Sequence, residues 1–250
     1  MKTAHSVIFV KTIFLLKSYH QAMIREAGCD EAGRGCYAGP VFAAAVVLPQ
    51  DFYHPLLNDS KQVPAETRFE LRTYIETHAL DYAVGQINNE EIDRINILWA
   101  SFKAMHVAVK KLKTPPEFLL IDGHMFKKYK KVPHLCVIKG DGIYASIAAA
   151  SILAKTYRDE YMQRLHKRYP QYNWQSNKGY GTREHREGIA SHGICKYHRR
   201  SFNLFGNIPA SEEVAATDIV SLSVSPEQFD NSTEVTGSFL ASGTISTSRI

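Results

Sequence analysis

GCDEAGRGCYAGPVFAAAVVL, residues 28–48, is the stretch from which the fold can be read. Ala27-Gly28-Cys29 leads into two carboxylates, Asp30 and Glu31, followed by the glycine-rich loop Ala32-Gly33-Arg34-Gly35. Val41–Leu48 is then apolar at every position, the pattern of a strand buried on both faces. Downstream the chain alternates between helical and strand signals. Ala65–His78 places Phe69, Leu71, Arg72 and Ile75 at roughly helical spacing, and Tyr82–Ile87 alternates. Glu90–Leu112 reads as one long amphipathic helix with Ile95, Leu98, Phe102, Met105 and Val109 on a single stripe, ended by Pro115-Pro116. Phe118–Ile121 and Leu135–Ile138 read as two more buried strands, and Gly142–Tyr169 as a long helix of small residues stopped by Pro170. Strands and helices in alternation predict an α/β domain, helices packed on a central sheet.

Composition sets the outer limits. The chain has 250 residues, 44% hydrophobic and 22% charged, enough for one large domain or two small ones with a real core. No apolar run reaches the roughly 20 residues of a membrane helix. The longest, Val7–Leu16, is interrupted by Lys11, which with Lys17 also argues against a signal peptide. Cys29, Cys36, Cys136 and Cys195 form no CxxC pair, so neither a disulfide framework nor a structural zinc site is expected, and a reducing, cytoplasmic setting is.

Charge divides the chain. Residues 207–250 hold one basic and six acidic residues among fourteen Ser or Thr, whereas residues 1–206 hold 29 Lys+Arg against 19 Asp+Glu, a net of +10. The reading is an N-terminal extension over 1–23, with Met23 as an alternative start, a folded basic body over 24–206, and a disordered acidic tail over 207–250. A basic body fits an anionic partner, most often nucleic acid, although excess lysine also serves solubility alone.

Three apolar segments each deliver a carboxylate: Asp30 with Glu31, Asp122 after Leu119-Leu120-Ile121, and Asp141 after Val137-Ile138-Lys139-Gly140. In an open α/β sheet the C-terminal strand ends are where sites are built. Taken singly, Asp122 and Asp141 read as turn or cap residues. Together with Asp30 and Glu31 they suit a hard divalent cation, Mg2+ or Mn2+, better than zinc. Alternation along a strand sends Asp30 and Glu31 to opposite faces, so a shared site needs the backbone to turn there, which the following glycines permit. Two metal ions so held would activate water and steady the leaving oxygen of a phosphodiester. Residues 178–200 add Lys178, Arg183, Arg186, Lys196, Arg199 and Arg200, interleaved with Tyr180, His185, Tyr197 and His198, as a surface for phosphates and bases.

These motifs resemble the ribonuclease HII family. Gly28–Gly35 with Ala38-Gly39-Pro40 resembles its opening signature. Asn58-Asp59-Ser60-Lys61, Ile121-Asp122-Gly123, Lys139-Gly140-Asp141, Ser146–Lys155 with Arg158-Asp159, Lys178–Thr182 with His185, and His198–Phe202 follow in the family's order, over about residues 26–206. The resemblance implies a ribonuclease H-like fold: a central mixed sheet flanked by helices, with a helical C-terminal part. It implies cleavage of the RNA strand of RNA–DNA hybrids and nicking on the 5′ side of ribonucleotides embedded in duplex DNA, leaving 3′-hydroxyl and 5′-phosphate ends. By the same resemblance Asp30, Glu31, Asp122 and Asp141 are the catalytic, metal-binding quartet for two Mn2+ or Mg2+ ions. Gly33, Arg34 and Gly35 read the 2′-hydroxyl with backbone groups, and Tyr180 packs on the sugar at the RNA–DNA junction. Lys61, in a polar turn, is expected to touch nucleic acid. Lys155 is expected to contact phosphate ahead of its alternative, pairing with Asp159 four residues on. A monomer is implied.

Ribonuclease HIII shares the chemistry but usually has an N-terminal substrate-binding domain and a different residue in place of Arg34; with 29 residues before Asp30, that domain is not expected here. Gly140–Ala145 fits a dinucleotide-loop pattern, yet Asp141 inside it would repel pyrophosphate. No nucleophile elbow is present. His192, Cys195 and His198 could be drawn as a metal trio, but core and surface roles fit them better.

Overall fold

Seven residues of extended backbone, Glu26–Ala32 (β1), form the centre of a five-stranded sheet. In the computed structural model, which describes residues 15–21 and 23–205, the strand order is β3-β2-β1-β4-β5. The others are Val41–Val47 (β2), Asp81–Ile87 (β3), Phe118–Asp122 (β4) and His134–Val137 (β5). β1 to β3 form an antiparallel meander, with Asp30 opposite Ala44 and Glu31 opposite Ala43. β4 runs parallel to β1 and β5 parallel to β4, so these three strands end at the same edge. The sheet is mixed, as expected of this fold.

Both faces of the sheet are covered, which explains why β2 is apolar throughout. Val41, Ala43, Ala45 and Val47 pack with Ala27, Cys29, Leu119 and Ile121 beneath Asn89–Lys111 (α2). Ala44 and Val46 face Ala65–His78 (α1) and Ala145–His166 (α3) on the other side. Leu71 and Ile75 anchor α1, and each fully buried side chain of this size contributes about 1.5–3 kcal/mol. α3 reaches the sheet because it is built of small residues and because β1 has Gly28. A Cβ there would overlap the Ser146 backbone.

Several expectations shift. The helix expected from Gly142 begins at Ala145, because Gly140–Gly142 is a separate 3-10 turn and Tyr144 is extended; it ends at His166 rather than Tyr169. The single helix expected over 90–112 is broken at Asn96 (φ 63°, ψ 166°), whose side chain accepts from the amides of Leu98 and Trp99 and so caps the second half. Phe69 lies exposed although its spacing matched Leu71 and Ile75. The strand read as Leu135–Ile138 and as buried is an edge strand, His134–Val137, with Leu135 half in solvent and Ile138 beyond it.

After α3 the chain folds into a small helical part, Trp174–Asn177 (α4) and Arg183–His192 (α5), around Met162, Tyr172, Trp174, Ile189 and Leu204. Part of the N-terminal extension is tied to the body. Lys17 N–H donates to Ile143 O (2.8 Å), Lys17 O accepts from Ala145 N–H (2.9 Å), and Leu16 packs on the α1/α3 core. Lys17 and Tyr144 form an isolated bridge. The tail over 207–250 and residues 1–14 lie outside the described residues. The four cysteines are unpaired, and no described helix is long and apolar enough to cross a membrane.

Candidate active site

The common edge of β1, β4 and β5 gathers the acidic residues. Asp30 and Glu31 are the fifth and sixth residues of β1, Asp122 is the last of β4, and Asp141 sits in the 3-10 turn soon after β5. β1 continues in register through both of its carboxylates, so the backbone does not turn between them as expected. Asp30 lies on the α3 face near Ser151, and Glu31 on the α2 face, in a cleft with Arg34, Phe102, Asp122, His124 and Met125. Asp122, on the neighbouring strand end, is within electrostatic reach of both. Local bonds fix the arrangement. Glu31 N–H donates to Asp30 Oδ1 (2.7 Å), Gly140 N–H to Asp122 Oδ1 (2.7 Å), and Arg34 Nη1 to Glu31 Oε1 (3.2 Å).

The electrostatics are those of crowded anions. Burial holds Asp30 well above the ordinary carboxylate range, and Glu31 and Asp122 push the same way. Burial also raises Glu31, against the pull of Arg34. Asp141 is raised to about 6 by burial, then by Asp122 and Asp59. Each shift reports a charge short of compensation. The donors are hard oxygens, which fits Mg2+ or Mn2+ and not a thiophilic metal. Among the described residues no three such side chains already stand in a metal-holding arrangement.

The expected substrate residues fall around this edge. Gly33, Arg34 and Gly35 follow β1 directly, and Cys36 bridges to Tyr180, whose ring stands beside Gly35 and is 43% exposed. Lys61 is exposed in a turn where its N–H donates to Asp59 Oδ1 (2.9 Å), close enough to act on Asp141. The Lys155 ammonium contacts both oxygens of the buried Asp159 at 2.5 and 2.6 Å, the pairing that spacing had offered as the alternative to phosphate contact.

Three residues of the basic and aromatic segment 178–200 are corrected. Arg199, His185 and His198 lie inside the protein, at 0–1% exposure, and cannot meet a polyanion. The histidines form a closed network: Cys195 N–H donates to His198 Nδ1 (3.0 Å), leaving His198 Nε2–H for His185 Nε2 (3.1 Å). Trp174 Nε1–H also donates to His185 Nε2 (3.0 Å), and His185 Nδ1–H to Tyr180 O (2.9 Å). Every ring nitrogen is used with both rings neutral. Burial lowers His185, and burial with His185 as neighbour lowers His198 to about 4. His198 is therefore structural and braces the segment carrying Tyr180.

Sequence reasoning missed three features. Asp59 stands in the Asn58–Lys61 motif with no role expected of it, yet it lies close enough to Asp141 to help raise it. Ser60 and Ser151 hydroxyls meet at 2.9 Å beside Asp30. Lys127, Lys128, Lys130 and Lys131 stand exposed on the loop after β4, and among the described residues none pairs with a carboxylate. Only the lysine run had a local signal, its charge density.

The sequence pattern of the family described as Ribonuclease HII matches residues 27–205. A ribonuclease HII from Bacteroides fragilis is 64% identical over 182 residues, covering 73% of this chain and 90% of that protein. The ribonuclease H2 structure from Pyrococcus horikoshii superimposes with a TM-score of 0.61 at 25% identity, over 73% of this chain and 95% of that one. Bst ribonuclease HIII in complex with Mn2+ matches with a TM-score of 0.57 at 20% identity, over 73% of this chain and 68% of that one, a likeness of fold alone.

Proposed function

The chain belongs to the ribonuclease HII family, endonucleases that degrade RNA in RNA–DNA hybrids, and from that premise we propose that it also nicks duplex DNA on the 5′ side of single embedded ribonucleotides, with a two-metal-ion mechanism. The observation that carries this reading is the shared C-terminal edge of three parallel strands, with acidic residues in β1, at the end of β4 and in the turn beyond β5. Asp30, Glu31, Asp122 and Asp141 would hold the ions, Mn2+ or Mg2+. Once bound, the ions would supply an activated water and stabilise the leaving 3′ oxygen, giving 3′-hydroxyl and 5′-phosphate ends.

The chain's own groups divide the remaining work. Arg34, bonded to Glu31, offsets part of the charge that burial opposes. The Gly33-Arg34-Gly35 backbone meets the 2′-hydroxyl, the group by which a protein separates RNA from DNA at one position. The half-exposed Tyr180 ring packs on the adjacent sugar. Lys61 meets a phosphate near Asp141. The exposed lysines 127, 128, 130 and 131 hold the flanking duplex, on a loop whose first residues line the cleft with Glu31 and Asp122.

The test is a labelled DNA duplex carrying one ribonucleotide, incubated with Mg2+, Mn2+ or chelator. The expected product is a single metal-dependent nick on the 5′ side of the ribonucleotide. Cleavage of a long hybrid without that nick would refute the single-ribonucleotide reading and leave the hybrid activity standing.

A further inference from the structure

Two guanidinium groups lie inside the protein, each under 2% exposed, and among the described residues neither pairs with a carboxylate. Both bond only to backbone carbonyls. Arg158, on α3, donates to Pro40 O (3.1 Å), Ala38 O (3.1 Å) and Lys178 O (2.8 Å). Arg199, beyond α5, donates to Gly39 O (3.0 Å), Arg34 O (2.7 Å) and Gly33 O (2.7 Å). A buried cation without an anion is costly, and charge-assisted bonds offset that cost only when the carbonyls are held in place. All but one of these carbonyls belong to residues 33–40, the loop that follows the carboxylates of β1.

Peptide geometry makes the consequence directional. No peptide in the described residues is cis, so the Gly33 carbonyl opposes the Arg34 N–H across its peptide plane, and the Arg34 carbonyl opposes the Gly35 N–H. Two carbonyls turned inward to Arg199 therefore turn two consecutive amides outward. Neither amide has an acceptor among the described residues. Gly33 holds φ +95°, and a side chain there would run into the Arg158 guanidinium, so the loop and its braces require each other. The segment bearing Arg199 is pinned from outside as well. Arg200 N–H, Ser201 N–H and Ser201 Oγ–H donate to the Asp93 carboxylate on α2 (2.9, 3.0 and 2.6 Å).

We propose that Arg199 is a positioning residue for the ribonucleotide test. By fixing the Gly33 and Arg34 carbonyls it presents the Arg34 and Gly35 amides as a preformed receptor for a 2′-hydroxyl, and so sets the preference for ribo- over deoxynucleotide without touching substrate or metal. This rests on the reading that the chain acts on embedded ribonucleotides. Burial, with Arg158 nearby, lowers Arg199 to about 10, which leaves it protonated at neutral pH.

The experiment measures binding in chelator, where hydrolysis is blocked. Full-length wild type, Arg199→Lys and Asp93→Ala are titrated with a duplex carrying one ribonucleotide and with the all-deoxy duplex of the same sequence. Lysine keeps the charge but not the fork that spans neighbouring carbonyls. In Arg199→Lys the ratio of the two affinities should fall about tenfold, the loss of roughly one hydrogen bond, with all-deoxy affinity unchanged. Asp93→Ala should shift the ratio the same way by less, and it carries the test if Arg199→Lys does not fold. The rise in melting temperature on adding Mn2+ should match wild type in both. A purely structural arginine would lower the melting temperature and leave the ratio alone. A wild-type ratio in variants folded at the assay temperature therefore overturns the proposal. If wild type itself shows no ribonucleotide preference, the parent reading fails and this one with it.

Discussion

Asp30 sits in surroundings that oppose its own charge: it is buried, next to Glu31 and within reach of Asp122. Removing that charge should stabilise the metal-free protein. Asp30→Asn is expected to gain about 1 kcal/mol at pH 7, some 2–4 °C in melting temperature for a domain of this size. Cleavage should fall by more than about a hundredfold, since losing even an outer partner of a metal ligand costs 10–100-fold. Calorimetry and hybrid cleavage on one preparation check both, and a destabilised Asp30→Asn would contradict the electrostatic picture. The four proposed site carboxylates stand out in the sequence because each follows an apolar run, although Asp30 and Glu31 lie within β1 and Asp141 falls in the turn beyond β5. Asp59 and Arg199 were not. A turn aspartate has no local mark separating it from any other, and Arg199 meets its carbonyl partners across some 160 residues of chain.

At the scale of elements, the close approach of α3 to β1 positions Asp30 beside Ser151 and depends on Gly28. Gly28→Ala must separate the two backbones and is expected to cost about 1–3 kcal/mol by overpacking. Denaturant unfolding checks this, and a loss under 0.5 kcal/mol, within ordinary surface variation, would contradict it. The histidine network gives a pH prediction. His198 is held near 4 in the fold against an ordinary value near 6.5, so between those values the unfolded chain binds the proton that the fold refuses. Its contribution is complete above pH 6.5 and is lost as pH falls towards 4, at up to about 1.4 kcal/mol per unit. Asp141, raised to about 6, acts in the opposite sense over part of that range. The clean measurement is therefore the NMR titration of the His198 ring, expected near 4; a midpoint near 6.5 would mean that the network is open to water. The helix and strand pattern was largely legible. The break at Asn96 was not, because its side-chain cap leaves the apolar spacing intact on both sides. Nor could spacing show that the last strand lies at an edge, since that depends on sheet order.

The whole molecule adds polarity. Residues 1–206 carry net +10, and the exposed lysines at 127, 128, 130 and 131 extend a cationic surface from the cleft. If they hold the flanking duplex, Lys128→Gln with Lys131→Gln should lower the slope of log affinity against log salt by about 1.8, roughly 0.9 for each phosphate no longer neutralised. Turnover at saturating substrate should not change, and an unchanged salt slope would remove the loop from the interface. Charge separation between body and tail was visible in composition, but how that charge meets the carboxylate edge required the fold.

Whether the carboxylates gathered in β1, at the end of β4 and beyond β5 perform metal-dependent hydrolysis of RNA within a duplex is tested by cleavage of an end-labelled RNA–DNA hybrid by wild type and Asp30→Asn, with Mg2+, with Mn2+ and with chelator, and with the chemistry of the new ends determined. Internal cuts in the RNA strand carrying 3′-hydroxyl and 5′-phosphate ends are expected, dependent on the divalent ion and abolished in the variant. Cleavage that persists in chelator, or in Asp30→Asn at the wild-type rate, would contradict it.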